Sequence, residues 1–505
     1  LTSDERLLAG RHHLDNGIRA LRTGFLDESR SHFEAALLQF RGPELRLGEA
    51  HALRGLAEVE LHGGRLEPAE AAIRRALSEY AELRSQLDRI DRERSSSDLR
   101  RDAEEGEAAG HVLLGEVLLR AGRAEEARVA LGYARELYSG LGDDVASAAG
   151  LWLTLARLGM RESRHQDARV AAERAVDILA RAHDAPGLAS AWLLLGEIER
   201  WSHRFEPAAA ALAEATRFAE QAGQPALQGR AASQRAALLA QQDRLPEAEA
   251  AYTEAIVRIR EAGDAEMEAF ALLGRGDVRS RRQDPSALTD LVVGTRLLGL
   301  LVHQHGLGLG MLRLSEHALR HGLPAYALLA AESARQIWQL SDPIHGVGLA
   351  YRIEVKALAA LRLWPAVVTV AHARAELAGS AQPHALEVRD FYRRAAPSSM
   401  LADLDLLDAE QLQSRAESMI EAILAPTLDT LDVDFQSLGT SAGALAIAGA
   451  IGKSTPEPAL VPSGSAALQA LEEATPFDDL ASLRETPLPP EYRGTYDEPK
   501  GGGPP

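Results

Sequence analysis

Apolar and small residues recur along most of this 505-residue chain at helical spacing, and the spacing itself repeats. Between residues 110 and 262 a triplet at i, i+4, i+7 occurs four times: Ala127, Leu131, Ala134; Ala168, Ala172, Ala175; Ala208, Leu212, Ala215; and Ala248, Tyr252, Ala255. That spacing puts three side chains on one face of an α-helix. A small residue one turn from a larger one, then small again, lets a neighbouring helix approach closely. The first members lie 41, 40 and 40 residues apart, and a fixed period of this size marks a helical solenoid.

The triplet extends both ways, as Ser29, Phe33, Ala36 and Ala69, Ile73, Ala76 upstream, then as Ala287, Leu291, Gly294, as Ala327, Ala331, Ala334 and as Ala366, Val370, Ala373. Twelve residues before the first member stands a small residue on a preceding helix: Gly17, Ala57, Gly115, Ala156, Gly196, Ala236 and Ser315. The seventh unit has Gly274, one residue out of step, and the ninth has Glu354, which does not fit. Pro68, Pro207, Pro246, Pro285, Pro324 and Pro365 fall one to three residues before the triplet, where a helix's first turn tolerates a missing N–H. Gly24, Gly64, Gly122 and Gly322 suit the turn that precedes it. Each unit therefore reads as a helix hairpin whose second helix carries the triplet.

These residues resemble the tetratricopeptide repeat (TPR): a small residue at position 8 of the unit, turn Gly at 15, Ala at 20, a bulky apolar residue at 24 and Ala at 27. Trp192 with Leu195 and Gly196 is similar to the Trp-x-x-Leu-Gly start of that repeat. The resemblance covers residues 5 to 380 with a period near 40 rather than the usual 34, as in a longer-helix subtype. It implies an all-α, right-handed solenoid of nine to ten hairpins. The expected organisation is repeats 1–2 over 1–79, a charged insertion or extended helix over 80–107, repeats 3–9 over 108–380, capping helices over 381–425 and a largely disordered acidic Pro/Gly-rich tail over 426–505. Within 80–107, Leu83, Leu87 and Ile90 predict that the second helix of unit two runs on, before Ser95–Ser97 break it.

Composition narrows the chemistry. The net charge of −19 repels phosphate backbones, so nucleic acid is not an expected partner. With no cysteine, thiolate zinc sites and cysteine nucleophiles are excluded. No apolar run reaches the roughly 18 residues that span a bilayer, and the first 25 residues lack a secretory core, which points to the cytoplasm. Gly452–Lys453–Ser454 ends like a phosphate loop, but Ile447 stands where that motif needs glycine, and no strand precedes it. The apolar stretch 443–452 reads instead as a segment that docks on a groove or on another copy. His317 and His321 at i, i+4 lack a His-Glu-x-x-His context and read as surface histidines. No catalytic constellation and no cofactor site is expected.

What remains is the concave face that, by the resemblance, the first helices line. Its positions 9 and 13 give the candidate groove residues Glu116, Arg120, Arg157, Arg161, Glu197, Trp201, Gln241, Glu316 and Arg320. Mixed Arg and Glu beside a Trp suit an extended or helical peptide carrying acidic groups. Arg235 falls where the repeat has an apolar residue, so either the register slips by one or an ion pair sits there. The chain is therefore read as a non-catalytic scaffold for a protein or peptide, its tail an autoinhibitory ligand or a second partner site. Two alternatives stand beside this. One is the sensor half of a larger bacterial signalling protein (a kinase or a STAND-type ATPase), motivated by a start at Leu1 rather than Met. The other is a structural subunit of a large assembly.

Overall fold

A computed structural model describes residues 3–22, 25–42, 45–90, 97–142, 146–162, 164–301, 303–341, 345–361, 363–378, 407–431, 433 and 435–453. Nine consecutive helix hairpins run through them. In chain order they are α1 (Ser3–Arg22) with α2 (Leu26–Gln39), α3 (Arg46–His62) with α4 (Leu66–Ile90), α5 (Ser97–Arg120) with α6 (Ala124–Leu141), and α7 (Ala149–Arg161) with α8 (His165–Arg181). Then come α9 (Ala185–Trp201) with α10 (Phe205–Ala222), α11 (Pro225–Gln241) with α12 (Leu245–Glu261), and α13 (Ala265–Arg281) with α14 (Ala287–Leu300). The last are α15 (Gln304–Arg320) with α16 (Pro324–Ser341) and α17 (His345–Ala360) with α18 (Trp364–Ala378), followed by α19 (Ala409–Leu431) and α20 (Ser441–Lys453). The described residues contain no strand.

The triplets are the seams of these hairpins. Ala127, Leu131, Ala134, Ala168, Ala172 and Ala175 are all wholly excluded from solvent, as are their counterparts Ala327, Ala331 and Ala334. The small residue on the first helix makes room for the bulky middle member of the triplet. A Cβ added at Gly115 would stand 2.7 Å from Leu131, and one added at Gly196 would stand 2.8 Å from Leu212. In six of the hairpins one described residue between the two helices takes a left-handed conformation, while the expected turn Gly24 lies outside the described residues. Gly64, Gly122 and Gly322 do so as the sequence suggests, but His203, Asp243 and Gln283 occupy the same place with φ of 56°, 59° and 58°. Only glycine adopts that conformation without cost, so these three turns were not legible from composition.

The chain divides into two compact units, Leu1–Leu238 and Leu239–Pro505. In the first, residues 80–90 and 97–107 form the distal ends of two long helices, α4 and α5. Leu83, Leu87 and Ala103 are buried together with Leu47 packed beside them. Arg84 reaches Glu107 at 3.1 Å across the pair. The Ser95–Ser96 part of the expected break lies outside the described residues. On α11, Ala236 is fully buried while Arg235 is exposed, so the register does not slip.

In the second unit the two misfit positions hold charge, half-buried at Arg275 and fully buried at Glu354. Twelve residues before Ala287 stands Arg275, which donates to both carboxylate oxygens of Asp290 at 2.8 Å. Arg279 adds a bond to Asp290 at 2.9 Å and another to Glu249 at 2.9 Å. The space for Leu291 comes instead from Gly276. Glu354 of the ninth hairpin and Glu332 on α16 of the eighth, both fully buried, lie against Arg335 of α16, whose guanidinium also reaches Glu417 of α19 at 3.2 Å. Burial pushes the Glu354 carboxyl well up, the Glu332 charge pushes the same way, and Arg335 opposes both. His317 is likewise buried rather than at the surface. Its Nδ1 lies 2.9 Å from the Ser280 hydroxyl, and burial lowers its pKa to about 4, helped by His321 and Arg320.

Part of the expected tail is helical. α19 runs on through Pro426, and α20 buries Ala444, Ile447, Ala448, Ala450 and Ile451. α20 packs mainly on α14, with further contact to α15 and α16, and Ser333 donates to the Leu438 carbonyl at 2.8 Å just before it. Residues 454–505, the rest of the expected disordered tail, lie outside the described residues, as do 379–406 of the expected capping region.

Candidate functional site

Within each unit, first helices lie side by side. α1, α3, α5, α7 and α9 each touch the next in the first unit, as do α13, α15 and α17 in the second. Second helices make no comparable contact with one another among the described residues. Within each unit the first-helix side is therefore the tighter, inner side, and its outward-pointing residues form a wall there.

In the first unit this wall brings together Glu116, Arg120 and Arg157. Glu116 lies 3.5 Å from Arg120 on its own helix and 3.7 Å from Arg157 on the next. Burial works to raise the Glu116 carboxyl, but Arg157, Arg120 and His62 together hold it below the usual carboxylate range. Glu197, four residues before Trp201 on α9, is half-buried without a hydrogen bond or ion pair among the described residues. Trp201 is 47% exposed, with the Arg200 guanidinium 5.1 Å from its ring centre.

The last residue of a first helix has a second task that the sequence did not reveal. Arg120 donates to the Leu61 carbonyl at 3.3 Å, and Arg161 to the Leu119 carbonyl at 2.8 Å. In the second unit Arg281 donates to the Ala240 carbonyl at 2.9 Å. Each acceptor is the penultimate residue of the preceding first helix, where carbonyls lack intrahelical partners and the helix dipole favours a cation. Arg320 varies the theme, donating to Ser280 at 3.0 Å and Asp277 at 3.1 Å. Arg120, Arg161 and Arg320 therefore tie neighbouring hairpins together, whatever else they touch.

Gln241, Glu316 and Arg320 belong to the second unit. Gln241 is exposed at the end of α11. Glu316 is shared by Arg313 at 2.8 Å, Arg352 at 3.5 Å and Arg320 at 4.0 Å. Asp277, Arg352 and the nearby Lys356 were missed because the seventh and ninth hairpins break the small-residue register from which wall positions were counted, and Arg313 because it stands three residues before Glu316, off the two positions counted in each unit. Among the described residues no cluster of three metal-ligating side chains occurs, and no helix is long and apolar enough to cross a membrane.

A stack of hairpins with a small-residue seam, a left-handed turn and a first-helix inner wall has one plain description. The fold is TPR-like. No protein-family model matches the chain, and no curated protein does. Among solved structures, a Rap protein complexed with competence and sporulation factor is 13% identical over 78% of this chain and 96% of its own, with a TM-score of 0.48. A STAND protein with a tetratricopeptide repeat sensor, from Pyrococcus horikoshii, is 13% identical over 68% of this chain and 48% of its own, with a TM-score of 0.43. BtubC from P. vanneervenii is 16% identical over 46% of this chain and 92% of its own, with a TM-score of 0.37.

Proposed function

We propose that this chain is a non-catalytic scaffold that holds a protein or peptide segment along the first-helix wall. The observation that carries the reading is the exposed Trp201 beside Arg200 and the uncommitted carboxylate of Glu197, on a wall whose other charges are mostly paired. A large exposed aromatic one helical turn from an unspent carboxylate is what a binding hot spot needs. The sensor half of a larger signalling protein would use the same wall. α20 packs mainly on α14, with further contact to α15 and α16, and the tail from residue 426 onward is proposed as an autoinhibitory ligand or a second partner site.

The test is quantitative capture of binding partners by the full chain and by an Arg157→Ala/Arg161→Ala/Trp201→Ala variant. A partner held by the wall is lost from the variant while its helical circular dichroism stays. Because Arg161 also bonds the Leu119 carbonyl, a Trp201→Ala single variant serves as the control that leaves that bond intact. Equal capture by parent and both variants removes the wall as the binding face.

A further inference from the structure

The inner wall of the second unit concentrates positive charge in an otherwise acidic chain. Arg313 and Arg320 of α15 and Arg352 of α17 converge on the single carboxylate of Glu316. The one other acid among them, Asp277 of α13, takes Arg320 at 3.1 Å and Arg313 at 3.9 Å. Lys356 stands one turn past Arg352 on α17, exposed, with no ion pair or hydrogen bond among the described residues. Four cations thus share two carboxylates. Partial desolvation beside its neighbours lowers the pKa of the Lys356 amine, and Arg352, Arg374 and Arg320 lower it further, with Glu316 alone opposing. These neighbours disfavour the ammonium, and an arriving anion would relieve that repulsion.

Lysine is rare here, and Lys356 is the one lysine within the repeats, the others being Lys453 and Lys500. Three arginines supply planar forks for carboxylates, and the lysine adds a mobile point charge. The groups come from adjacent first helices, so they are spaced along a line that a chain could follow rather than around one small ion.

We propose that Arg313, Arg320, Arg352 and Lys356 form an anion seat on the wall of the seventh to ninth hairpins, occupied by a peptide segment with two or more neighbouring carboxylate side chains. The inference rests on the reading of the first-helix wall as the partner face, and it names the chemistry taken there. The surplus of two cations over Glu316 and Asp277 sets the number of carboxylates. The net charge of −19 favours a short acidic segment over a nucleic acid, whose longer charged backbone the rest of the surface repels.

Reductive methylation with ¹³C-formaldehyde gives the three lysines of the full chain NMR signals, and Lys356→Arg assigns one of them. Hexaglutamate is titrated in, with hexaglutamine and an oligothymidylate as comparisons. The expected result is that hexaglutamate moves the Lys356 signal and raises its titration midpoint, leaves Lys453 and Lys500 in place, and binds about tenfold more weakly to Arg352→Gln. A Lys356 signal that stays still, or equal binding of hexaglutamine, overturns the proposal. A larger response to the oligothymidylate replaces the peptide by a nucleic acid and overturns it too. If hexaglutamate fails while capture through Trp201 persists, the wall still binds partners and only this seat is lost.

Discussion

Where its two helices cross, the fifth hairpin sets Gly196 against the side chain of Leu212, whereas the first helix of the ninth sets a fully buried Glu354 beside Arg335 on the second helix of the eighth. The first arrangement needs only shape. A glycine leaves a hollow, a leucine fills it, and close packing on apolar surface stabilises the pair. The second needs chemistry, because a carboxyl taken from water must be neutralised or paired. Arg335 answers for Glu332, Glu354 and Glu417 together, and through Glu417 it ties α19 to the hairpins before it. The seventh hairpin has the same character, with Arg275 and Arg279 closing on Asp290. Regular repeats are thus held by geometry that every hairpin shares, and the irregular ones by partners specific to one place in the stack.

The sharpest way to break this contrast is Arg335→Ala, which strands buried carboxylates. A loss of about 3–5 kcal/mol is expected, read as a fall in the denaturant midpoint of the second unit. A loss below 1 kcal/mol would mean that the cluster is not paying its own desolvation through Arg335. Gly196→Val attacks the regular seam instead. Its added methyls meet Leu212, and overpacking of this kind costs about 1–3 kcal/mol, measured by the same unfolding curve. No cost would show that the hairpin relaxes freely at its crossing.

The smallest effect separates the two regions by pH. The folded-state pKa of Glu354 is raised, so the folded protein keeps a proton that the unfolded chain releases. The stabilisation from that proton is complete below the unfolded carboxylate pKa of about 4.3 and is lost as pH rises toward the raised value. Glu354→Gln has no proton to lose. Relative to the parent, it should gain on the order of 1 kcal/mol between pH 5 and pH 8, measured by urea unfolding at both. A parallel pH response in parent and variant would place the Glu354 proton elsewhere.

Much of the repeat was legible because it is local. Ala168, Ala172 and Ala175 are spaced by one helix, and their burial follows from period alone. Proline and glycine marked the turns for the same reason, though His203, Asp243 and Gln283 show that the turn's geometry outlives its usual residue. The wall was legible only in part. Glu116, Arg157 and Trp201 were reached by counting positions, but the bonds of Arg120 and Arg161 to the carbonyls of Leu61 and Leu119 span about one repeat or more. Glu354 was visible as a misfit without a reason, since Arg335 lies on another helix and Glu417 lies 63 residues further along the chain.

The sequence by itself determined that hairpins form, where each begins and which faces they bury, since helix period, proline placement and small-residue spacing act within a few turns of one chain segment. Which charges meet was decided by the tertiary structure alone. Asp277, Glu316 and Arg352 come from three different hairpins, and electrostatic pairing depends on distance in space, which a linear pattern does not carry until the stack brings those helices side by side.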